Sequence, residues 1–117
     1  MTVTIEFPPP DLYLNANDRT HWAVKAARVK NWRWATYVYA ITLYLGPQPR
    51  SRIGISLPVR SLNIRRDGSN FCLTQKACVD GLVDAGLWPD DCGQYVVTEE
   101  PTFHLGGNVR ITITELP

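Results

Sequence analysis

Apolar and polar residues alternate over residues 2–7, TVTIEF, with Val3, Ile5 and Phe7 facing one way and Thr2, Thr4 and Glu6 the other. This period of two predicts a half-buried strand. Pro8, Pro9 and Pro10 end it, because proline donates no N–H to a ladder. A polar connection, DLYLNANDRT, follows, in which Asp18 or Thr20 is a candidate helix cap. The period then becomes helical from about His21 to Leu45, with Gly46-Pro47 as the stop. At about 100° per residue, Ala27, Trp34, Val38, Ile41 and Leu45 share one face, which is assigned to the core. His21, Lys25, Arg28 and Trp32 share another.

Alternation returns over residues 52–60, RIGISLPVR, through Ile53, Ile55, Leu57 and Val59. Pro58 argues for an edge position or a bulge there. Gly68-Ser69-Asn70 reads as a turn. Thr74 is the expected cap of a second helix over residues 75–85, and Gly86 its stop. On this helix Val79, Leu82 and Val83 point inward, Lys76, Asp80 and Asp84 share the other face, and Gly81 permits close packing against the first helix. Residues 95–103 and 108–116 read as a closing hairpin through Gly106-Gly107, with Pro101 marking an edge or irregularity. The order is strand, helix, strand, helix, strand, strand. It predicts an α+β fold, a mixed sheet of about four strands with two helices packed on one face. No repeat or linker divides the chain, so residues 1–117 are read as a single domain, large enough to hold a core without metal or disulfide.

Charge changes this picture. The net value of +1 hides a segregation: Arg19 to Arg66 holds ten Lys/Arg and no acid, whereas Asp67 to Glu100 holds seven acids and one lysine. Such a split suits a polyanion on one surface with a cation-binding acidic cluster beside it, or else the two halves pair internally. Lys25 and Arg28 are candidate phosphate contacts or members of a solvated basic stripe. Trp32 is a base-stacking candidate, though a lone tryptophan is more often packed, here under a loop; His21 reads as a helix-start residue. The three cysteines, Cys72, Cys78 and Cys92, form no C-x-x-C, which disfavours a disulfide framework or structural zinc and suits a reducing compartment. No signal-peptide pattern or membrane-length apolar run occurs, so an intracellular soluble protein with no membrane partner is expected.

The chemistry concentrates in residues 65–92. Asp67 lies in a loop, Lys76 near the start of the second helix, and Asp90 and Asp91 on the turn after Pro89. If these converge, they suit a hard cation such as Mg²⁺, which prefers oxygen ligands and keeps several waters. Such an ion activates water and covers charge on a phosphodiester, and a lysine adds to that cover. Asp67 and Asp91 are then candidate ligands, Asp90 a third or an outer one, Lys76 a scissile-phosphate contact, and Arg65 and Arg66 grips for neighbouring phosphates. The same residues also read as a polar turn and an ordinary Lys76–Asp80 helix pair.

The segment RRDGSNFCLTQKACVDGLVDAGLWPDD resembles the RusA family of Holliday-junction resolvases. The opening PPPDLYLNANDRTHWAVKAARVKNWR and the closing GGNVRITITEL are similar to that family too, so the resemblance spans nearly the whole chain. It implies a small, two-fold homodimeric endonuclease dependent on Mg²⁺ (or Mn²⁺). The implied substrate is branched DNA, and the implied setting is the cytoplasm of a bacterial host, often with phage or prophage origin. Carried over by position, it makes Asp67, Lys76, Asp90 and Asp91 catalytic, with Asp67, Asp91 and Asp90 as the metal ligands, and Arg19, Lys25, Arg28, Arg65, Arg66 and Asn70 are the residues expected toward DNA. The family's second motif aspartate falls on Ser69, and about three extra residues separate Asn70 from Lys76. Asp80 is a candidate substitute for the missing carboxylate. A catalytically weakened or inactive branched-DNA-binding protein is the alternative that this departure raises.

Overall fold

The computed structural model describes residues 2–117. The elements are β1 (Thr2–Phe7), α1 (Trp22–Thr42), β2 (Ser51–Val59), a 3₁₀ turn (Gly68–Phe71), α2 (Cys72–Asp84), β3 (Val96–Thr98), β4 (Thr102–Leu105) and β5 (Val109–Glu115). They form an α+β fold with one mixed sheet of five strands and two helices.

The predicted closing hairpin does not form. β5 lies between β1 and β2, antiparallel to both, while β3 and β4 pair in parallel with the other side of β2. The connection at residues 106–108 therefore carries the chain from one side of β2 to the other. The alternation of β5 is that of an interior strand, and a period of two does not say which neighbour a strand takes. Pro58 lies in a central strand, beyond Ser56, where the pairing with β5 ends, so it faces a neighbour only in β4. Pro101 sits in the break between β3 and β4 that the sequence anticipates.

Ile5, Phe7, Ile53, Ile55, Leu57, Val109, Ile111 and Ile113 form the apolar face of the sheet, and all are buried. The helices cover this face: Phe7 stacks on Tyr39 and meets Trp32 edge-on, with ring centroids 5.3 and 6.5 Å apart. The opposite face carries Thr4, Glu6, Arg52, Ser56, Arg110, Thr112 and Thr114, part-exposed or exposed.

The face of α1 assigned to the core is the outer one. Trp34 is 63 % exposed, Ala27 and Ile41 are exposed, and Val38 and Leu45 are half-buried. Trp32, Thr36 and Ala40 are buried instead. Two features select that side. Trp32 lies beneath the 8–21 connection, its indole N–H donating to the Leu12 carbonyl at 2.9 Å, as the packed reading of this residue expects. Gly81 of α2 needs a small neighbour: a Cβ there would sit 2.5 Å from the Arg33 carbonyl oxygen and 2.9 Å from Thr36 Cβ. An α1 that is apolar on two sides cannot be oriented by periodicity alone.

α2 begins three residues earlier than expected, so Thr74 is not its cap. The Thr74 hydroxyl lies inside the helix, accepts from Leu14 N at 2.8 Å and donates to Leu14 O at 3.1 Å, pinning the connection to α2. Gly86 does stop α2, with a φ of 87° that disfavours any other residue. Among the described residues no helix is long and apolar enough to cross a membrane.

Candidate functional site

Asp67 caps the 3₁₀ turn: Oδ1 accepts from Ser69 N at 3.1 Å and from Ser69 Oγ at 2.8 Å. These donors, with the nearby Arg65 charge, hold the carboxyl below the usual aspartate value, so it is ionised at neutral pH. The next residue, Gly68, is pressed against the Pro101 carbonyl and the Glu100 side chain, where a Cβ would collide with both. The Asp67 corner is thus seated on the break between β3 and β4, and Glu100 is brought beside it.

α2 carries Gln75 and Lys76 toward the same break. The buried Gln75 amide donates to the Glu99 carbonyl. Lys76 Nζ donates to Asp91 Oδ2 and, at 3.0 Å, to Asp80 Oδ1. Leu87 and Trp88 are buried and fix the turn that delivers Asp91; the Trp88 indole donates to Pro49 O at 3.0 Å. Cys72, Gln75, Lys76, Val79, Asp91 and Thr98 line a solvent-open cleft of about 320 Å³. Asp90 is exposed, and its Oδ1 accepts from Asp91 N.

Arg33 of α1 completes this array from across the helix pair. It grips Asp84 through two bonds of 2.6 and 2.8 Å and lies 4.0 Å from Asp80. Its guanidinium lowers the Asp84 pKa from the ordinary value. Asp80 therefore sits between Lys76 and Arg33. No local sequence signal marks Arg33, because its partners are supplied by a helix some fifty positions away in the chain.

The structure joins Lys76, Asp80 and Asp91. Asp67 does not line their cleft, and among the described residues no group of three or more His, Cys, Asp or Glu side chains is placed to hold a metal ion. The side chains themselves are carboxylates, whose oxygens are the donors a hard cation prefers. Mg²⁺ commonly takes only one or two protein carboxylates and fills its sphere with water and substrate phosphate; Asp91 reaches the cleft that Lys76 lines, whereas Asp67 stands outside it.

The basic candidates distribute themselves. Arg65 is exposed beside Asp67. Arg66 donates to the Ser61 and Ile64 carbonyls at 2.7 and 3.2 Å and lies over the Phe103 ring, bracing its own loop. Arg28 approaches Asp11 at 3.8 Å, Lys25 is half-buried, and Arg19 is exposed. Asn70 accepts from Ala16 N through its carbonyl at 2.8 Å, which ties the turn to the 8–21 connection. Arg33 and Arg52 pair with acids of the 67–100 segment, so part of the charge segregation is neutralised internally.

Comparison with protein-family models and with curated proteins finds no match.

Proposed function

We propose that the chain is a Mg²⁺-dependent, structure-selective DNA endonuclease of the RusA kind, cutting four-way junctions or related branches. The observation that carries this reading is the contact of Lys76 with Asp91 in an open cleft. Two residues fifteen positions apart and separated by a helix end meet there.

In this reading Asp67 and Asp91 hold the metal and Asp90 assists from the same turn. When bound, Mg²⁺ supplies a water of lowered pKa and neutralises charge on the phosphate. Lys76 has three N–H donors; with Asp80 and Asp91 taking two, one remains for a phosphate oxygen. Asp80, anchored toward Arg33, keeps the Lys76 head from following Asp91 alone. Arg65, with Arg19, Lys25 and Arg28 farther along, contacts flanking phosphates, while Arg66 and Asn70 shape the loop. Two copies pair through the outer stripe of α1, where Trp34 stacks on Tyr37 with centroids 5.4 Å apart and Ile41 is exposed. That pairing would present two equivalent sites to a two-fold junction.

A labelled four-way junction with protein and Mg²⁺ tests the reading. Symmetric nicks are expected, reduced about 100-fold or more by Asp91→Asn. No cuts from the wild type, or equal cutting by the variant, would refute it. Sedimentation should show a dimer that Ile41→Glu converts to monomers.

A second reading, branched-DNA binding without cleavage, is favoured by one observation: the hydroxyl of Ser69 is turned onto Asp67 at the position of the family's second carboxylate. It predicts salt-sensitive binding with no cleavage in Mg²⁺ or Mn²⁺. Ser69→Asp would restore cutting if that position is what limits it.

A further inference from the structure

The open face of the sheet carries a second group of reactive side chains, outside the Lys76 cleft. Parallel pairing sets Ser56 of β2 opposite Thr102 and Pro58 opposite His104 of β4, so Ser56 and His104 are diagonal neighbours on one face. Ser56 Oγ lies 2.6 Å from His104 Nδ1, and His104 Nε2 lies 2.9 Å from the Asn108 carbonyl oxygen. A carbonyl can only accept, so Nε2 carries the proton. In the neutral ring Nδ1 then holds the lone pair, and the serine hydroxyl must be the donor. Nucleophile, base and orienting acceptor are thus in line, at distances usual for an activated serine. The turn that returns Asn108 to the imidazole passes through Gly106, whose φ of 149° is a backbone conformation that residues with a side chain rarely adopt.

The space in front of Ser56 is a cleft of about 220 Å³ bounded by Arg52, Ser56, Glu99, Thr102, Arg110 and Thr112. Arg110 stands directly across the β2–β5 ladder from Ser56. Its pair with Glu6, at 2.9 Å, and that of Arg52 with Glu99, at 3.6 Å, are exposed. Exposed pairs contribute little to stability and can be exchanged for a substrate anion.

We propose that Ser56, activated by His104, is the nucleophile of a hydrolytic site for small carboxylic esters that carry a second, negatively charged group. Ser56 Oγ bonds to the ester carbonyl carbon while its proton passes to His104 Nδ1. The ester C–O bond breaks, and the departing alcohol takes that proton. Water then attacks the acyl-serine, giving one proton to Nδ1, from which it returns to Oγ as the acid leaves. Arg110 holds the substrate's anionic end. This site is independent of the nuclease reading and stands or falls separately.

The test uses the full chain and phenylmethylsulfonyl fluoride, with the adduct located by peptide mass spectrometry. A single sulfonyl adduct on Ser56 is expected, formed with loss of fluoride. His104→Gln retains a hydrogen-bonding group at the position but cannot act as a base, and it should slow labelling about 100-fold or more. Circular dichroism checks that the variant is folded. Hydrolysis of mono-p-nitrophenyl succinate should exceed that of p-nitrophenyl acetate, and Arg110→Gln should erase the difference. No adduct on Ser56 in the wild type, or undiminished labelling in folded His104→Gln, would overturn the proposal. Equal hydrolysis of the two esters by the wild type would overturn its substrate class.

Discussion

Replacing Gly81 by alanine sets two physical effects against each other, and the structure says which wins. Alanine favours an exposed helix interior over glycine by about 1 kcal/mol. At Gly81, however, the added methyl would lie 2.5 Å from the Arg33 carbonyl oxygen, 2.9 Å from Thr36 Cβ and 3.1 Å from Tyr37 N. Two of these atoms belong to the backbone of α1 and cannot rotate away. Relief requires the helices to part by about 1 Å, which sacrifices dispersion contacts around Thr36, Ala77, Cys78 and Leu82. Overpacking of this kind costs roughly 1–3 kcal/mol, so after the helix-propensity gain of about 1 kcal/mol the net effect expected for Gly81→Ala is a loss of up to about 2 kcal/mol. The same displacement would lengthen the Arg33–Asp84 and Arg33–Asp80 contacts and slacken the support of Lys76. Urea unfolding followed by far-ultraviolet circular dichroism measures the effect, with a lower midpoint and an unchanged m-value expected. A variant more stable than the wild type would refute the close-packing argument, since helix propensity would then have prevailed.

Thr74→Val keeps the side-chain volume but leaves the buried Leu14 N–H and carbonyl without their shared partner, so a loss of about 1–3 kcal/mol in urea unfolding is expected. In the folded protein a thiol reagent should modify the exposed Cys72 and Cys92, whereas burial pushes the Cys78 thiol up to about 12 and shields it until denaturant is added. Arg33 lowers the Asp84 pKa in the folded state, so the pair stabilises above the ordinary aspartate value and its contribution fades as pH falls below about 4. The stability difference between wild type and Asp84→Asn, measured by urea unfolding from pH 7 to 3, should be constant near neutrality and shrink in acid. Since both side chains are well exposed, it should not exceed about 1 kcal/mol.

What was legible in the sequence follows from which interactions are local. β1, β2 and β5 announce themselves by alternation, and Gly86 marks the end of α2 through its positive φ. The outward turn of Trp34 and Ile41 depends on Gly81 and on the loop above Trp32, both remote in sequence. The placement of β5 between β1 and β2 depends on pairing choices that no single strand encodes. The same limit applies to the candidate site. Lys76 with Asp80 is a helix-spaced pair and could be read directly; of the convergence expected for Asp67, Lys76 and Asp91, the structure shows the contact of Lys76 with Asp91. Arg33 and the Ser56–His104 contact could not be read, because one arises from helix crossing and the other from parallel pairing where a hairpin was expected.

The proposed nuclease role requires Asp67 and Asp91 to serve a common divalent cation. Titrating the ¹⁵N-labelled protein with sub-stoichiometric Mn²⁺ and following paramagnetic broadening of the amide signals tests it most directly. The signals of residues 67–69 and 90–92 should broaden together, excess Mg²⁺ should reverse the effect, and Asp91→Asn should abolish it at both segments. Broadening confined to one segment, or none at either, would contradict it.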